Sequence, residues 1–185
     1  MSLPYGILGL LSYQDSSGYD LSLMFANSLN NFWHAQSSQI YRELKRLEEQ
    51  GLVSSKKIIQ DNKPNKRVYS LNEKGKTKLD DWLKETKPEM ENAHFSLLMK
   101  VFFGAENPQA TIELLQAYKQ ECLQILDTFA MSSKQAITAY AASLTDGKEK
   151  SLYWKMTLDL GIANVNCTIK WIDDCLDLIE KDLKK

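Results

Sequence analysis

The residues best suited to binding chemistry lie between positions 36 and 46 of the 185-residue chain. Amides, hydroxyls and cations recur there on one side of a predicted helix: Gln36, Ser38, Gln39, Arg42, Lys45 and Arg46. Amide and guanidinium groups can pair with base edges, whereas lysines and hydroxyls suit phosphates. Ser37 and Tyr41 complete this candidate surface. Tyr41 neighbours Ile40, so its ring is expected to lie partly in the core and partly in the groove of the nucleic acid. The alternative is a solvated helix face that pairs with neighbouring glutamates.

The opposite side of the same segment is apolar. Three residues fall at helical spacing and form one inward stripe: Ile40, Leu44 and Leu47. Ser37 or Ser38 can cap the first turn, because a hydroxyl accepts a hydrogen bond from a free backbone N–H. Gly51 can adopt the left-handed conformation that ends a helix. The spacing therefore predicts an amphipathic helix between the two serines and Gly51.

A predicted β-hairpin follows this helix. The first strand runs over residues 52–60 and the second over residues 66–71. Asp, Asn and Pro at positions 61–65 are typical of a turn. Three cations at or beside the tip are expected to contact phosphates: Lys63, Lys66 and Arg67. A helix followed by a basic hairpin is the plan of a winged helix-turn-helix.

The positive charge of the chain is concentrated in this region. Residues 36–67 contain eight Lys or Arg and four acidic residues, a net charge of +4, whereas the whole chain carries −1. A pI near 6.2 argues against a general polyanion binder. Affinity for a nucleic acid must therefore come from this local patch.

Composition and the N-terminal residues predict a soluble cytoplasmic protein. Hydrophobic residues make up 43% of the chain and charged residues 25%, which are ordinary values for a globular protein. The N-terminus lacks the features of a signal peptide, and no apolar run approaches the ~18 residues of a membrane helix. The three cysteines, at positions 122, 167 and 175, include no CxxC pair. We therefore expect reduced thiols that are buried as small apolar groups.

Two domains are predicted, and the fold class is mainly α. Residues 1–87 form a winged helix-turn-helix of three helices and a hairpin wing, with residues 15–18 as a break between helices. Asn72 is the predicted cap of a further helix. Residues 88–185 form an all-helical dimerisation domain, which includes one long helix over about 107–144.

The last predicted helix, from about residue 148, carries an apolar seam whose steps alternate between four and three residues. Its eight positions are Leu158, Ile162, Val165, Ile169, Ile172, Leu176, Ile179 and Leu183. A second apolar row lies beside it, at Trp171, Cys175 and Leu178. A face this wide needs more than one partner helix, and the seam has the spacing of a coiled coil. We therefore predict that the seam packs across the twofold axis of a homodimer.

No motif typical of an enzyme or a metal site stands out. There is no nucleophile elbow, phosphate loop or paired-carboxylate arrangement, and His34 and His94 lack companion metal ligands. We therefore expect no catalytic activity, bound metal or cofactor. A rival interpretation is an enzyme on a helical scaffold, which requires a polar cleft in the C-terminal half. Trp154 and Trp171 are expected in the core or an interface, with a site for a small aromatic effector as the alternative.

Three ordered motifs run through the first 86 residues: Gly18-Tyr19-Asp20-Leu21; Gln39-Ile40-Tyr41-Arg42-Glu43-Leu44 with Leu47 and Gly51-Leu52-Val53; and Tyr69-Ser70-Leu71-Asn72 with Gly75. With these motifs the chain resembles the PadR family of bacterial transcriptional regulators. The C-terminal half is similar to the helical domain of the long, AphA-type virulence activators in length and helical character. The resemblance implies a homodimer on an inverted-repeat operator, usually a repressor, which a small molecule releases in some members. The rival is a winged-helix module that binds an acidic protein instead of DNA.

Overall fold

The computed structural model describes residues 2–29, 32–59, 66–86 and 95–183, without the side chains of residues 131 and 132. Backbone contacts divide the chain into two compact units, Met1–Pro88 and Glu89–Lys185. The elements of the first unit are α1 (Leu3–Leu11), β1 (Ser16–Ser17), α2 (Gly18–Ser28), α3 (Ser37–Glu49), β2 (Val53–Ile58), β3 (Lys66–Leu71) and α4 (Glu73–Lys84). Those of the second are α5 (Ser96–Phe102), α6 (Pro108–Thr128), α7 (Lys134–Ala142) and α8 (Gly147–Leu183). In the described ranges, no helix is long and apolar enough to cross a membrane.

These elements confirm the predicted fold class, a winged helix-turn-helix followed by helices. Apolar side chains from α1, α2, α3 and the sheet form one core: Ile7, Leu8, Leu10, Leu11, Leu21, Phe25, Ile40, Leu44, Leu47, Leu52, Val53 and Tyr69. The predicted inward stripe of α3 belongs to it, since none of its three residues is more than 1% exposed. Burial of one such side chain contributes about 1.5–3 kcal/mol, so rotation of α3 about its axis is strongly disfavoured.

The sheet has three antiparallel strands in the order β1-β3-β2. Val53 pairs with Leu71 and Ile58 with Lys66, which confirms the predicted strand pair; the predicted turn at 61–65 lies outside the described residues. Residues 15–18 separate α1 from α2, as predicted, and they also contain β1, an unpredicted strand that pairs with β3. A two-residue strand has no periodicity of its own, and only its distant partner defines it.

The end of α3 is set by a turn at Gly51 and Leu52. Gly51 has a φ of 68°, as predicted, and the N–H of Leu52 donates to the carbonyl of Leu47 at 2.9 Å. Asn72 is the N-cap residue of α4, as predicted, but its side chain makes no capping hydrogen bond. Its Nδ2 donates instead to the Gly51 carbonyl at 3.2 Å, so this amide joins the start of α4 to the end of α3.

In the second unit, α8 runs antiparallel to α6 and α7. Lys119 on α6 pairs with Asp173 at 2.6 Å, and the Tyr140 ring on α7 lies 5.5 Å from that of Trp154. Residues later in α6 and α7 therefore contact residues earlier in α8, as antiparallel helices require. The predicted single helix over 107–144 is interrupted, since a π-helical segment, Phe129–Ser133, separates α6 from α7.

The α8 seam is largely covered within one chain. Leu158 and Ile172 are 4% and 0% exposed, and Leu183 is 60% exposed. The five remaining positions are half-buried: Ile162, Val165, Ile169, Leu176 and Ile179. Leu158 and Ile172, predicted to pack across a dimer axis, are therefore covered by their own chain. A heptad pattern shows that a helix is covered, and cannot distinguish a covering helix of the same chain from one of another.

A further row of exposed, mostly apolar side chains lies on the side of α8 opposite the seam, and it takes in Leu178, which was predicted beside the seam. This outer row consists of Tyr153, Met156, Leu160, Cys167 and Leu178. At about 100° per residue these positions lie roughly half a turn from the seam. Each of the four large side chains is more than half exposed. Cys167 is exposed too, so the prediction of burial holds for Cys122 and is wrong for Cys167, while Cys175 is half-buried.

Gly75 in α4 provides a test of this packing. A Cβ at Gly75 would lie 2.2 Å from the Leu52 carbonyl oxygen, whereas a Cβ at Gly9 in α1 would meet nothing within 4 Å. We expect Gly75→Ala to lower the free energy of unfolding by about 1–3 kcal/mol, by analogy with overpacked cores. Gly9→Ala, the matched control, should raise it by up to about 1 kcal/mol through helix propensity. Urea unfolding followed by circular dichroism measures both; equal stabilities would contradict the packing described.

Candidate nucleic-acid interface

The polar side of α3 is a continuous exposed surface. Every residue predicted for it is exposed: Gln36, Ser37, Ser38, Gln39, Tyr41, Arg42, Lys45 and Arg46. The buried stripe on the opposite side holds the helix against the core, so these side chains project outward together. Such a helix has the chemistry of an element that enters the major groove of DNA.

The first turn of α3 differs from the expectation. The helix begins at Ser37 with Gln36 as its N-cap, so the predicted capping by Ser37 or Ser38 is wrong. The backbone N–H of Gln36 donates to Oε1 of Gln39 at 2.8 Å. This bond holds the Gln39 side chain against the first turn, and the second lone pair of its oxygen and its NH2 group remain able to pair with an adenine edge.

The cations of α3 are held loosely or not at all. Lys45 and Glu49 lie 3.8 Å apart, as do Arg46 and Glu43. The glutamate pairing weighed as the alternative is therefore present, but exposed ion pairs contribute only about 0–1 kcal/mol. Arg42 is exposed and has no ion-pair partner among the residues that the structure describes. These cations can turn toward phosphates or bases at little cost.

Two of the three cations predicted to contact phosphates from the wing lie within the described ranges, and their surroundings differ. Lys66, at the start of β3, is exposed. Arg67 contacts Glu48 at 3.0 Å, its Nε donates to Oγ of Ser55 at 2.5 Å, and its guanidinium lies 5.7 Å from the Tyr69 ring centre. Arg67, predicted to contact a phosphate, is thus also hydrogen-bonded within its own chain. Lys63 lies outside the described residues.

The wing carries two further cations, which contribute to the net charge of residues 36–67 but do not belong to the predicted phosphate contacts. Lys56 and Lys57 lie on β2, opposite Val68 and Arg67 of β3, and both are exposed. The sequence signal that could identify them as part of the interface is their position in a predicted strand whose partner strand is also basic. They extend the positive surface along the wing beyond its tip.

Tyr41 packs partly against α2. It is 47% exposed, and its ring lies so close to Gly18 that a Cβ there would be 2.3 Å from the ring. Burial raises the pKa of nearby Tyr69, an effect that the Arg67 guanidinium opposes. Tyr41 is therefore divided between packing and exposure, as its position beside Ile40 suggested.

The two tryptophans considered for an effector are not brought together. Both are half-buried on α8, and their separation of 17 residues corresponds to about 25 Å along a helix. A cleft of about 550 Å³ beside α7 and α8 is lined by Lys134, Lys148 and Lys155 among others, and by neither tryptophan. Trp154 and Trp171 therefore cannot both contact one small molecule in a single chain.

Comparisons with known proteins agree with this geometry. Residues 7–81 match the model of the transcriptional regulator PadR-like family, and residues 96–180 match the virulence activator alpha C-terminal domain. The negative transcriptional regulator PadR of Bacillus subtilis is 29% identical over 181 residues, covering 97% of this chain and 98% of that protein. Its matched span takes in both of the units described above.

Three solved structures are similar over nearly the whole chain. PadR of B. subtilis in complex with operator DNA has 28% identity and a TM-score of 0.81, and its complex with p-coumaric acid has 26% and 0.75. The virulence activator AphA of Vibrio cholerae has 25% identity and a TM-score of 0.74. Each match covers 97% of this chain and 99% of the other. The chain therefore belongs to the PadR-like family of transcriptional regulators, in the long form with a virulence-activator-type helical domain after the winged helix-turn-helix.

Proposed function

We propose that the protein is a cytoplasmic repressor that binds an inverted-repeat operator as a homodimer and is released by a small aromatic acid. The observation that carries the DNA-binding part is the continuous exposed polar side of α3 above its buried stripe. It is supported by the relative from B. subtilis, a negative regulator whose structure includes operator DNA. The rival module that binds only protein is not favoured, because nothing comparable supports it.

Within this interface we assign different roles to the cations. Arg42 and Gln39 lie nearest the bases, Arg42 suiting guanine and Gln39 adenine. Lys45, Arg46 and Lys66 neutralise phosphates without reading sequence. The protein as a whole is slightly acidic, so its affinity for DNA depends on this local field and falls with salt.

The outer row of α8 supports dimerisation. Its large apolar side chains are exposed in one chain, and a second copy offers the same row, as an isologous twofold interface requires. The short helix α5 adds further exposed apolar side chains: Leu98, Met99 and Phe102. We therefore assign the partner contact to the outer row and to the half-buried margins of the seam, not to Leu158 or Ile172.

The second unit also has features suited to an aromatic acid. Trp154 pairs with Tyr140, and a neighbouring cleft on the same stretch of α8 is lined by Lys148 and by Lys155, which lies 3.9 Å from Asp159. Aromatic rings can stack on a planar ligand, and the lysines attract a carboxylate. The p-coumaric acid complex of the B. subtilis relative supports this choice of ligand class. Trp171, being distant along the helix, is the less suitable of the two tryptophans.

Substitutions on α3 and the wing test the division of roles on DNA. On a duplex from upstream of the protein's own gene, Arg42→Ala should cost about 1–3 kcal/mol and relax preference at one base pair. Lys66→Ala should weaken all duplexes alike and reduce the salt slope by ~1. Fluorescence anisotropy over a salt series measures both. Unchanged footprints from a variant neutralised at Arg42, Lys45 and Lys66 would refute the interface.

Charge placed on the outer row should separate the subunits. Met156→Glu with Leu160→Glu puts two carboxylates into the proposed interface without touching the core of the chain, since both positions are exposed. The mass by light scattering should fall from twice 21.2 kDa to 21.2 kDa. Asn166→Glu, an exposed position on the flank of the same helix, is the control and should leave the dimer intact. A monomeric wild type at micromolar concentration would contradict the proposal.

An effector should weaken operator binding measurably. Saturating p-coumaric acid is expected to reduce DNA affinity by about 5- to 150-fold, the usual range of allosteric coupling. Trp154→Phe should diminish this response, whereas Trp82→Phe, in the first unit, should keep it. If DNA affinity is the same with and without the acid, the protein does not respond to this ligand class.

A further inference from the structure

Three side chains from three different elements form a closed set of hydrogen bonds at the base of the wing. Arg67 on β3 donates through Nη2 to Glu48 of α3 at 3.0 Å and through Nε to Oγ of Ser55 on β2 at 2.5 Å. Ser55 in turn donates to Oε1 of Glu48 at 2.6 Å. We call Glu48, Ser55 and Arg67 the wing clamp.

The geometry of the sheet explains why Arg67 and not Lys66 belongs to the clamp. Tyr69 pairs with Ser55, so Arg67 is the diagonal neighbour of Ser55 on the same face of the strand pair. Successive side chains of a strand point to opposite faces, which directs Lys66 away from this set. Tyr69 is buried beneath the guanidinium, with Arg67 5.7 Å from its ring centre.

The clamp is stronger than the other ion pairs of the same helix. Glu48 contacts Arg67 with both carboxylate oxygens, since Oε1 and Oε2 each lie 3.0 Å from Nη2, and its side chain is only 27% exposed. The other two ion pairs of α3 are longer, since Lys45 and Glu49 lie 3.8 Å apart, as do Arg46 and Glu43. Lys45 and Glu49 are 78% and 65% exposed, whereas Glu43 is only 15% exposed, so the clamp differs from both pairs in the length and number of its bonds. Charge-assisted bonds to a partly buried carboxylate fix geometry, whereas exposed pairs exchange freely with water.

We propose that Arg67 is a positioning residue: it fixes the wing relative to the recognition helix α3 through Glu48 and Ser55, and does not neutralise a phosphate. The inference rests on the proposed DNA-binding function. Val53 and Tyr69, both buried in the core, anchor the base of the strand pair, so the clamp acts on the part of the wing beyond Ser55. Without the clamp, that outer part loses its side-chain hydrogen bonds to α3 and is less restrained. Its lysines then reach the DNA backbone only at the cost of ordering the wing.

The test compares variants of the full chain on the upstream duplex over a salt series. Glu48→Gln should weaken binding roughly tenfold, the size of one charge-assisted hydrogen bond, although it removes a negative charge near DNA. Glu49→Gln, the matched control on the next residue, should leave binding equal or stronger. Arg67→Gln should weaken binding by a similar factor with an unchanged salt slope, and combining it with Glu48→Gln should add little.

A direct phosphate contact gives the opposite pattern. Arg67→Gln would then lower the salt slope by ~1, as expected for Lys66→Gln. Arg67→Lys separates the cases further, because lysine keeps the charge and loses the forked geometry. It should behave like Arg67→Gln if Arg67 positions the wing, and like wild type if it only neutralises a phosphate. Strengthened binding by Glu48→Gln would overturn the inference.

A readout without DNA keeps the two proposals distinguishable. Amide hydrogen exchange over residues 66–71 should be faster in Glu48→Gln and Arg67→Gln than in wild type or Glu49→Gln. If wild type binds no operator DNA, the proposed function fails while this measurement still reports on the clamp. Unchanged exchange in both clamp variants would refute the inference even if DNA binding is confirmed.

Discussion

The winged unit depends on one backbone turn. At Gly51 the chain adopts a φ of 68°, which ends α3, and Leu52, only 2% exposed, enters the core immediately afterwards. The Leu52 carbonyl accepts the N–H of Asn72 at 3.0 Å and faces Gly75 so closely that no side chain fits there. The end of the recognition helix, both ends of the wing and the start of α4 are therefore fixed at one point. Backbone contacts therefore hold α3 in position, and its exposed side chains project from that fixed position.

The positive charges of this unit fall into two physical classes. Lys45 and Arg46 are exposed and only loosely paired, so a phosphate can replace their glutamates at little cost. Arg67 is held by several short bonds to groups on neighbouring elements. A count of charges does not distinguish a cation that is bonded to other residues of the fold from one that is able to bind a ligand. Their difference lies in the length and number of their contacts, since Arg46 and Arg67 are 61% and 57% exposed, and these contacts affect how a polyanion is held.

The long helix α8 has two apolar sides with different consequences. Its seam covers α6 and α7 of the same chain and stabilises the second unit, with Ile172 fully buried. The outer row, half a turn away, leaves Tyr153 and Leu160 more than 60% exposed. Exposed apolar rows of this length on a helix mark interaction surfaces in proteins. One helix can thus serve a core and an interface, because their apolar rows lie on opposite sides of it.

The sequence by itself determined the features that depend on neighbouring residues. The inward stripe of α3, the left-handed Gly51, the bounds of β3 and the polar side from Gln36 to Arg46 follow from periodicity and from the conformational preferences of single residues. The family resemblance follows from the same local motifs. These features require no knowledge of which distant segment lies beside them.

Only the tertiary structure decided the features that depend on distant partners. The strand at Ser16 exists because it pairs with Tyr69, and the α8 seam is covered because α6 and α7 fold back along it. The role of Arg67 depends on Glu48, 19 positions earlier in the chain. The type and spacing of residues show which contacts they are able to make. The fold decides which contact forms, because it brings a distant chain segment within a few ångströms. A single sequence does not state which segment that is.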